Sequence, residues 1–537
     1  MTNTYSKNGH DDNGKNNYIF KLIKKPIFSL LIIGIISLTI RLYYFPFGIP
    51  IIFDGVDYFS YAVVINQQGH LPLNWNLSNN GWPIFLSFFF SIFEPQKFLE
   101  LTYLQRFLSI IISVLTIIPV YLLCSRFVKK QFAVIGAALF VLEPRIIINS
   151  ILGIPEPLFI LLSTISLFLL LSKRHTIILI SFFTLALCST IRYEGFLLLF
   201  PFLIIFIIRF RKDKKIVQKI LLCIDIFFIT ISPVVYAMYE ATGNDGIIYP
   251  ILGGGMDYIL THIINEIPDI DDPIYGEDVE DNKLKKFFSL GIINTIKFLG
   301  WILIPTFLIF VPIGIILLFQ KRDYKTFAII LCAITMLIPS FYAYARGIEE
   351  TRYLYIIFPI LCIISSSSIE KMSKKIKKEK IIIAIIISGI LISSLIFLDY
   401  KKADYQYEKE SYLIANYIEK NVGGINHWSQ WKYIPVSEIA NTWPVIPIPK
   451  ENNYDQPVKV KRTDPNGYVT LIDYIKDSKN KGLTHLVVDG NQHPEFLNNI
   501  FHNEDIPYLI KKYDSRNDGY NYHVKVFEIN YKLLPKK

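Results

Sequence analysis

The stretch PIFSLLIIGIISLTIRLYYF (Pro26–Phe45), followed shortly by DGVDY (Asp54–Tyr58), decides how this chain is read. The first run is long enough to cross a bilayer, which takes about 20 apolar residues. The second places two carboxylates, Asp54 and Asp57, just past that crossing. Charge beside hydrocarbon is costly unless it is solvated, paired or used. The next residues, Phe59-Ser60-Tyr61-Ala62, read as the start of a helix at the membrane surface. An acidic pair in that position points to chemistry at the membrane face, on something that arrives through the lipid.

Composition extends this reading to most of the chain. Of 537 residues, 52% are hydrophobic and 19% charged, against about 25% charged in a soluble domain. The mean hydropathy is +0.38. The 40 Phe and 33 Tyr suit lipid-facing surfaces and interfacial belts. Cys124, Cys188, Cys223, Cys332 and Cys362 all fall inside apolar runs, so neither a disulfide framework nor a cysteine metal site is expected. A net charge of +10 raises a nucleic-acid reading. Its basic residues lie in short loops between spans, where they set topology, and this excludes that partner.

Candidate spans run over 26–45, 104–123, 131–143, 157–172, 176–190, 195–209, 219–239, 292–319, 326–343, 353–369 and 381–398, about eleven in all. A partial insertion is expected at Trp82–Phe93. Short-loop Lys and Arg mark the cytoplasmic side. Lys21, Lys24 and Lys25, then Arg126, Lys129 and Lys130, Lys173 and Arg174, Arg209–Lys215, Lys321–Lys325 and Lys371–Lys380 all alternate onto one side. The other side receives Asp54, Asp57, Glu143, Glu156, the loop 240–287 and the tail from Asp399. The expected organisation is a polar cytoplasmic lead (1–25), a membrane helical bundle (26–399) and an extracytoplasmic domain (400–537). No cleavable signal peptide is expected, because the first apolar run is too long and lacks a small-residue exit. The tail predicts helices over Ala403–Asn421, Thr470–Lys481 and Glu495–Phe501, with strands over Leu483–Asp489 and within Tyr520–Tyr531. That mixture suggests a small α/β unit.

Four constellations fall on the outer side. Asp54 and Asp57 are either a solvated loop or a general base and metal-ligand pair, since i, i+3 spacing puts both on one side of a helical turn. Pro155-Glu156-Pro157-Leu158 is either a helix start favoured by the helix dipole or a second acidic centre. Near it, Glu143-Pro144-Arg145 reads as a local pair. Arg192-Tyr193-Glu194-Gly195 is a tight turn whose arginine either pairs with Glu194 or meets a phosphate through its planar donor fork. Arg346-Gly347-Ile348-Glu349-Glu350-Thr351-Arg352-Tyr353 brings two more arginines to the entrance of a span, as interfacial anchors or phosphate ligands. The acidic loop 269–281 lacks EF-hand spacing. Gly253-Gly254-Gly255 lacks the Lys-Ser/Thr of a P-loop.

On these motifs, over roughly residues 26–370, the chain resembles the GT-C glycosyltransferases, in the branch of the protein O-mannosyltransferases and the aminoarabinose transferases of lipid A. Asp54 and Tyr58 match the family's Asp-Glu-x-x-Tyr. Gly55 stands where the family has Glu, with Asp57 as candidate substitute. Ser150 through Glu156-Pro157-Leu158, Arg192-Tyr193-Glu194-Gly195-Phe196, and Arg352-Tyr353 with Pro359 match three further signatures. The resemblance implies a mainly helical polytopic fold and a polyprenyl (dolichyl) phosphate sugar donor used on the non-cytoplasmic face. It also implies inverting transfer of a hexose or pentose to a protein, glycan or lipid acceptor, often with a divalent metal (Mg or Mn). It gives Asp54 the base role with Asp57 beside it, Glu156 and Asp54 to a metal or the phosphate side, and Arg192, Arg352 and Arg346 to the phosphate. Tyr58, Glu194, Glu143 and Arg145 are in support. The location implied is the plasma membrane. A lipid-linked-sugar flippase and a glycan polymerase are the alternatives.

Overall fold

The computed structural model describes residues 26–535 apart from 52–53, 94–97, 265–282, 321–322, 377–378, 403–404, 422–442, 445–467, 480–482, 490–494 and 504. The expected lead and the acidic loop 269–281 lie outside the described residues. In chain order the helices are α1 (Pro26–Tyr43), α2 (Asp54–Gln68), α3 (Gly81–Phe93), α4 (Phe98–Leu115), α5 (Ile117–Cys124), α6 (Lys130–Val141), α7 (Pro144–Ile151), α8 (Glu156–Leu170) and α9 (His175–Ile191). A 3-10 segment, Tyr193–Leu198, leads into α10 (Leu199–Phe210), and α11 (Ile216–Thr242) follows. Next come two π-helical segments, then α12 (Lys283–Leu303), α13 (Phe310–Phe319) and α14 (Tyr324–Ala345). A second 3-10 segment, Thr351–Ile357, opens α15 (Phe358–Ile376), and α16 (Glu379–Lys402) ends the run of apolar helices.

Among the described residues, eight helices are long and apolar enough to cross a membrane, nine if α6 and α7, bent by 51°, form one span. The expectation of eleven differs for a physical reason. Helices α8 and α9 have 15 and 17 residues. At about 1.5 Å per residue, neither alone reaches the ~30 Å of a hydrocarbon core. The expected span 292–319 is divided between α12 and α13, and Trp82–Phe93 is the 13-residue helix α3.

One large apolar core runs through the bundle, from Leu30 on α1 to Ile390 on α16. Outward faces are apolar as well: on α11, Val217, Leu221 and Ile229 are exposed, as are Tyr236 and Tyr239 near its C-terminal end. That is the pattern of a lipid-facing helix with an interfacial belt. Arg41, fully buried on α1, donates to Ser150 Oγ, Ser113 Oγ and Val141 O, each at 3.0 Å. A cation among apolar helices is tolerated when its donors are all met.

Described residues of three of the loops expected on one side, Arg126–Lys130, Arg209–Lys215 and Lys321–Lys325, meet at one end of the bundle, beside Glu370 on α15. Lys325 donates to Arg126 O (3.1 Å), Arg209 lies over the Tyr324 ring (4.6 Å), and the Lys129 amide donates to Glu370.

Beyond α16 come α17 (Tyr405–Asn421), β1 (Trp443–Pro444), α18 (Leu471–Ser478), β2 (Leu483–Val488), α19 (Glu495–His502), β3 (Leu509–Asp514) and β4 (Lys525–Ile529). The sheet order is β1-β2-β4-β3, antiparallel throughout. The sheet buries an apolar face on each side. Ile414 and Ile418 of α17 pack with Val487, Val524 and Val526, while α18 and α19 pack with Leu486, Val488 and Phe527. Thr470 caps α18 by accepting from the Asp473 amide. β3 was not expected, since Leu509-Ile510-Lys511-Lys512-Tyr513-Asp514 is mostly polar and exposed, as befits a sheet edge.

Leu486 is fully buried at the centre of this sheet. Leu486→Ala should cost about 2–5 kcal/mol through the cavity it leaves. Limited proteolysis should then cleave residues 468–535 at lower protease concentration while the helical bundle stays intact.

Candidate active site

Four chain turns, far apart in sequence, meet at the end of the bundle opposite the basic loops. Asp54 starts α2 and Glu156 starts α8, with Pro155 as its N-cap and Pro157 in the first turn, where a missing amide costs nothing. Arg192 is extended (φ −142°, ψ 125°) between α9 and the 3-10 segment that follows it. Arg352 sits in the 3-10 segment before α15. That segment is pinned to α14: Tyr344 Oη donates to Glu350 O and Ser340 Oγ donates to Tyr353 O, both at 2.8 Å. These turns enclose a cavity of about 170 Å³, lined by Asp54, Tyr58, Asn79, Glu156, Arg192 and Arg352, with Tyr193, Glu194 and Tyr353. It adjoins a narrow crevice walled by Phe159, Leu198, Met336, Pro339 and Ile356, which shares Glu156, Arg192 and Arg352 with it.

The charges form two layers. In the deep layer Arg192 pairs with Glu156 through Nη1 and forks onto Glu194, with Nη2–Oε1 2.7 Å and Nε–Oε2 3.2 Å. All three side chains are 13% exposed or less. Glu156 Oε2 is buried with no hydrogen-bond partner among the described residues. In the outer layer Arg352 Nη1 pairs with Asp54 Oδ2 at 2.6 Å, and Nε pairs with Glu350. About half of the Asp54 side chain is exposed. Each arginine therefore faces two carboxylates.

Tyr58, one turn after Asp54, points into the same cavity. Burial pushes its phenol up to about 12, so at neutral pH it keeps its proton and serves as a hydrogen-bonding group. Asn79 Nδ2 donates to Tyr58 Oη (3.4 Å), and Asn79 Oδ1 accepts from the Tyr193 amide (3.2 Å). Asn79 holds a left-handed backbone (φ 67°), a conformation Asn tolerates better than most residues. Beside it, Gly81 opens α3 where a Cβ would lie 2.6 Å from Thr190 O. Sequence reasoning missed Asn79. Its one signal was the turn-forming run Asn79-Asn80-Gly81.

The structure brings Asp54, Tyr58, Glu156, Arg192, Glu194 and Arg352 together. Asp57 does not line the cavity and lies on the exposed side of α2; residue i+4, not i+3, shares the inward face here. Arg346 stands away from the cavity with its guanidinium over the rings of Tyr258 (4.1 Å) and Tyr342 (6.0 Å). Glu143 and Arg145 adopt the local pair (3.1 Å). Glu143 caps α7 by accepting from the Arg145 and Ile146 amides, and Arg145 donates to Trp301 O and Ile304 O, both at 2.9 Å. They join α7 to the end of α12.

Among the described residues no group of three or more His, Cys, Asp or Glu could hold a metal ion. Asp54 and Glu156 are each engaged by a guanidinium, so this donor set does not fit a resident divalent cation.

Comparison with known proteins agrees with this architecture. Residues 82–236 match the family model described as dolichyl-phosphate-mannose-protein mannosyltransferase. No curated protein sequence matches the chain. Among solved structures, ArnT from Cupriavidus metallidurans bound to undecaprenyl phosphate aligns with a TM-score of 0.56 at 9% identity, covering 94% of this chain and 99% of ArnT. The Archaeoglobus fulgidus oligosaccharyltransferase in complex with Zn and sulfate aligns at 0.54 with 14% identity, covering 90% of this chain and 71% of its own. The archaeal oligosaccharyltransferase AglB from the same organism, in complex with an inhibitory peptide and a dolichol-phosphate, aligns at 0.52 with 13% identity, covering 96% and 75%.

Removing one member of a buried ion pair strands the others. Arg192→Leu should destabilise the protein by about 3–5 kcal/mol, read as a lower unfolding midpoint in detergent. Asp57→Asn, at an exposed position of α2, should shift the midpoint far less, because exposed ionic contacts are worth about 0–1 kcal/mol.

Proposed function

Because this chain has the fold of the GT-C membrane glycosyltransferases, we propose that it moves a sugar from a polyprenyl (dolichyl) phosphate to a hydroxyl of a protein, glycan or lipid acceptor. The observation that carries this reading is the cavity in which Arg192 and Arg352 meet Asp54 and Glu156, beside an apolar crevice. Two arginine forks suit a phosphate, and an apolar channel next to them suits the first isoprene units. Polyprenyl phosphates bound to two structurally similar proteins support the choice of donor.

In the proposed reaction Asp54 accepts the proton of the acceptor hydroxyl as its oxygen bonds to the anomeric carbon. The bond from that carbon to the phosphate oxygen breaks, and the polyprenyl phosphate leaves with the electron pair. Arg352 and Arg192 offset the charge gained by the departing phosphate, the step at which fixed cations help most. Attack opposite the leaving group inverts the anomeric centre in one displacement. Glu156 holds Arg192 in place through the deep ion pair. No step is routed through a metal.

By the positive-inside rule the basic loop ends support a cytoplasmic location for the opposite face and for the N-terminus. In this reading residues 26–399 form the catalytic membrane domain of a plasma-membrane protein, and 400–537 an extracytoplasmic domain.

Membranes supplied with radiolabelled lipid-linked sugar test the assignment. Asp54→Asn should lower transfer about 100-fold or more, the usual worth of a general base; undiminished transfer would sink the base role. Arg352→Gln should weaken polyprenyl phosphate binding. Asp54→Asn should tighten it, because a carboxylate no longer competes for Arg352. Chelation with EDTA should leave transfer unchanged, and activity that returns only on adding Mg or Mn would overturn the metal-free reading.

A further inference from the structure

Two neighbouring side chains on α4, neither lining the cavity, hold its two acidic corners together. Gln105 Nε2 donates to Gly55 O (3.1 Å) and to Gly153 O (2.7 Å). Gly55 directly follows Asp54, and Gly153 stands in the turn that leads into Glu156. Arg106 grips the same two segments one step further out: Nε donates to Ile151 O (3.0 Å), Nη2 to Pro50 O (2.8 Å) and Nη1 to Ile49 O. Both side chains are buried. All of these acceptors are backbone carbonyls, so the bonds fix the main chain at the acidic corners.

The surrounding geometry is built to admit this bridge. A Cβ on Gly55 would stand 3.1 Å from Leu152 O, so the two segments touch backbone to backbone. Gly153 takes a left-handed conformation (φ 72°), and a Cβ there would lie 3.2 Å from Gln105 Cγ. Gln105 Oε1 is buried without a hydrogen-bond partner among the described residues. A buried amide with one unmet end is an expensive residue for packing alone, and what it supplies here is a donor shared between two carbonyls.

We propose that Gln105 and Arg106 are positioning residues that set the spacing between Asp54 and Glu156, and with it the register of base against phosphate-binding arginine. The proposal rests on the functional reading above. Reacting groups must be held to a fraction of an ångström, and displacement by about 1 Å costs on the order of 100-fold in rate. Loosening the bridge therefore lowers turnover without removing any group that touches substrate.

The test uses the full chain with spin labels on cysteines introduced at Gln67 on α2 and Leu152 before α8, both exposed. The native cysteines are buried. Gln105→Met removes the shared donor with little change in volume and should broaden or lengthen the label-to-label distance distribution. Arg106→Lys, with fewer donors, should do so less. Trp82→Phe is the control. Trp82 Nε1 also donates to Gly153 O (3.0 Å) but does not reach across to Gly55, so its loss should leave the distribution as in the wild type. On the lipid-linked donor, Gln105→Met should lower kcat tenfold or more with KM within twofold. A wild-type distance distribution in Gln105→Met, or equal broadening in Trp82→Phe, overturns the proposal. A wild-type protein that neither binds polyprenyl phosphate nor transfers sugar overturns the reading of the reaction instead, and the distances still decide whether the bridge sets the spacing.

Discussion

Arg192 held between Glu156 and Glu194 is the interaction on which the rest of the polar end depends. Three charged side chains, nearly closed off from water, sit at the tip of an apolar bundle. Isolated, any one of them would be intolerable there. Together they close a network that ties the start of α8 to the turn after α9. Two acids around one guanidinium leave that layer with an excess of carboxylate, and one oxygen of Glu156 without a donor among the described residues. The layer is the floor of the cavity, and the Asp54–Arg352–Glu350 layer above it is the more exposed one.

That division separates rigidity from reactivity. The base and a phosphate-binding arginine of the proposed reaction are paired with each other at 2.6 Å in the ligand-free protein. In the proposed reaction a phosphate at Arg352 competes with Asp54 for the same donors, and a displaced Asp54 is left as the proton acceptor beside the sugar. Glu350 stays on Arg352 through Nε, so the arginine keeps one anchor while its other donors change partner. In that proposal donor binding and base release are one event.

The wider bundle shows how polar contacts survive in an apolar surround. Arg41 and Arg106 are both fully buried or nearly so, and both donate to backbone carbonyls or serine hydroxyls in place of carboxylates. Such bonds secure main-chain positions where loops approach helices. The polar skeleton thus reaches well beyond the cavity.

By itself the sequence determined that most of the chain is membrane helix, that a small mixed domain follows, and that Asp54, Glu156, Arg192 and Arg352 share a side. These follow from apolar run length, from loop charge and from short motifs, all of which are local in sequence. Only the tertiary structure decided the rest. It turned Asp57 outward and selected Tyr58, because helical phase relative to the bundle is fixed by packing. It took Arg346 to an aromatic pair, and Glu143 and Arg145 to a helix cap. It shortened α8 and α9 below the length of a span and bent α6 against α7. It also brought in Asn79, between Tyr58 Oη and the Tyr193 amide, and Gln105 and Arg106, whose partners are backbone carbonyls of distant segments. A carbonyl oxygen has no residue type, so bonds made to the main chain leave no mark in the sequence that could have announced them.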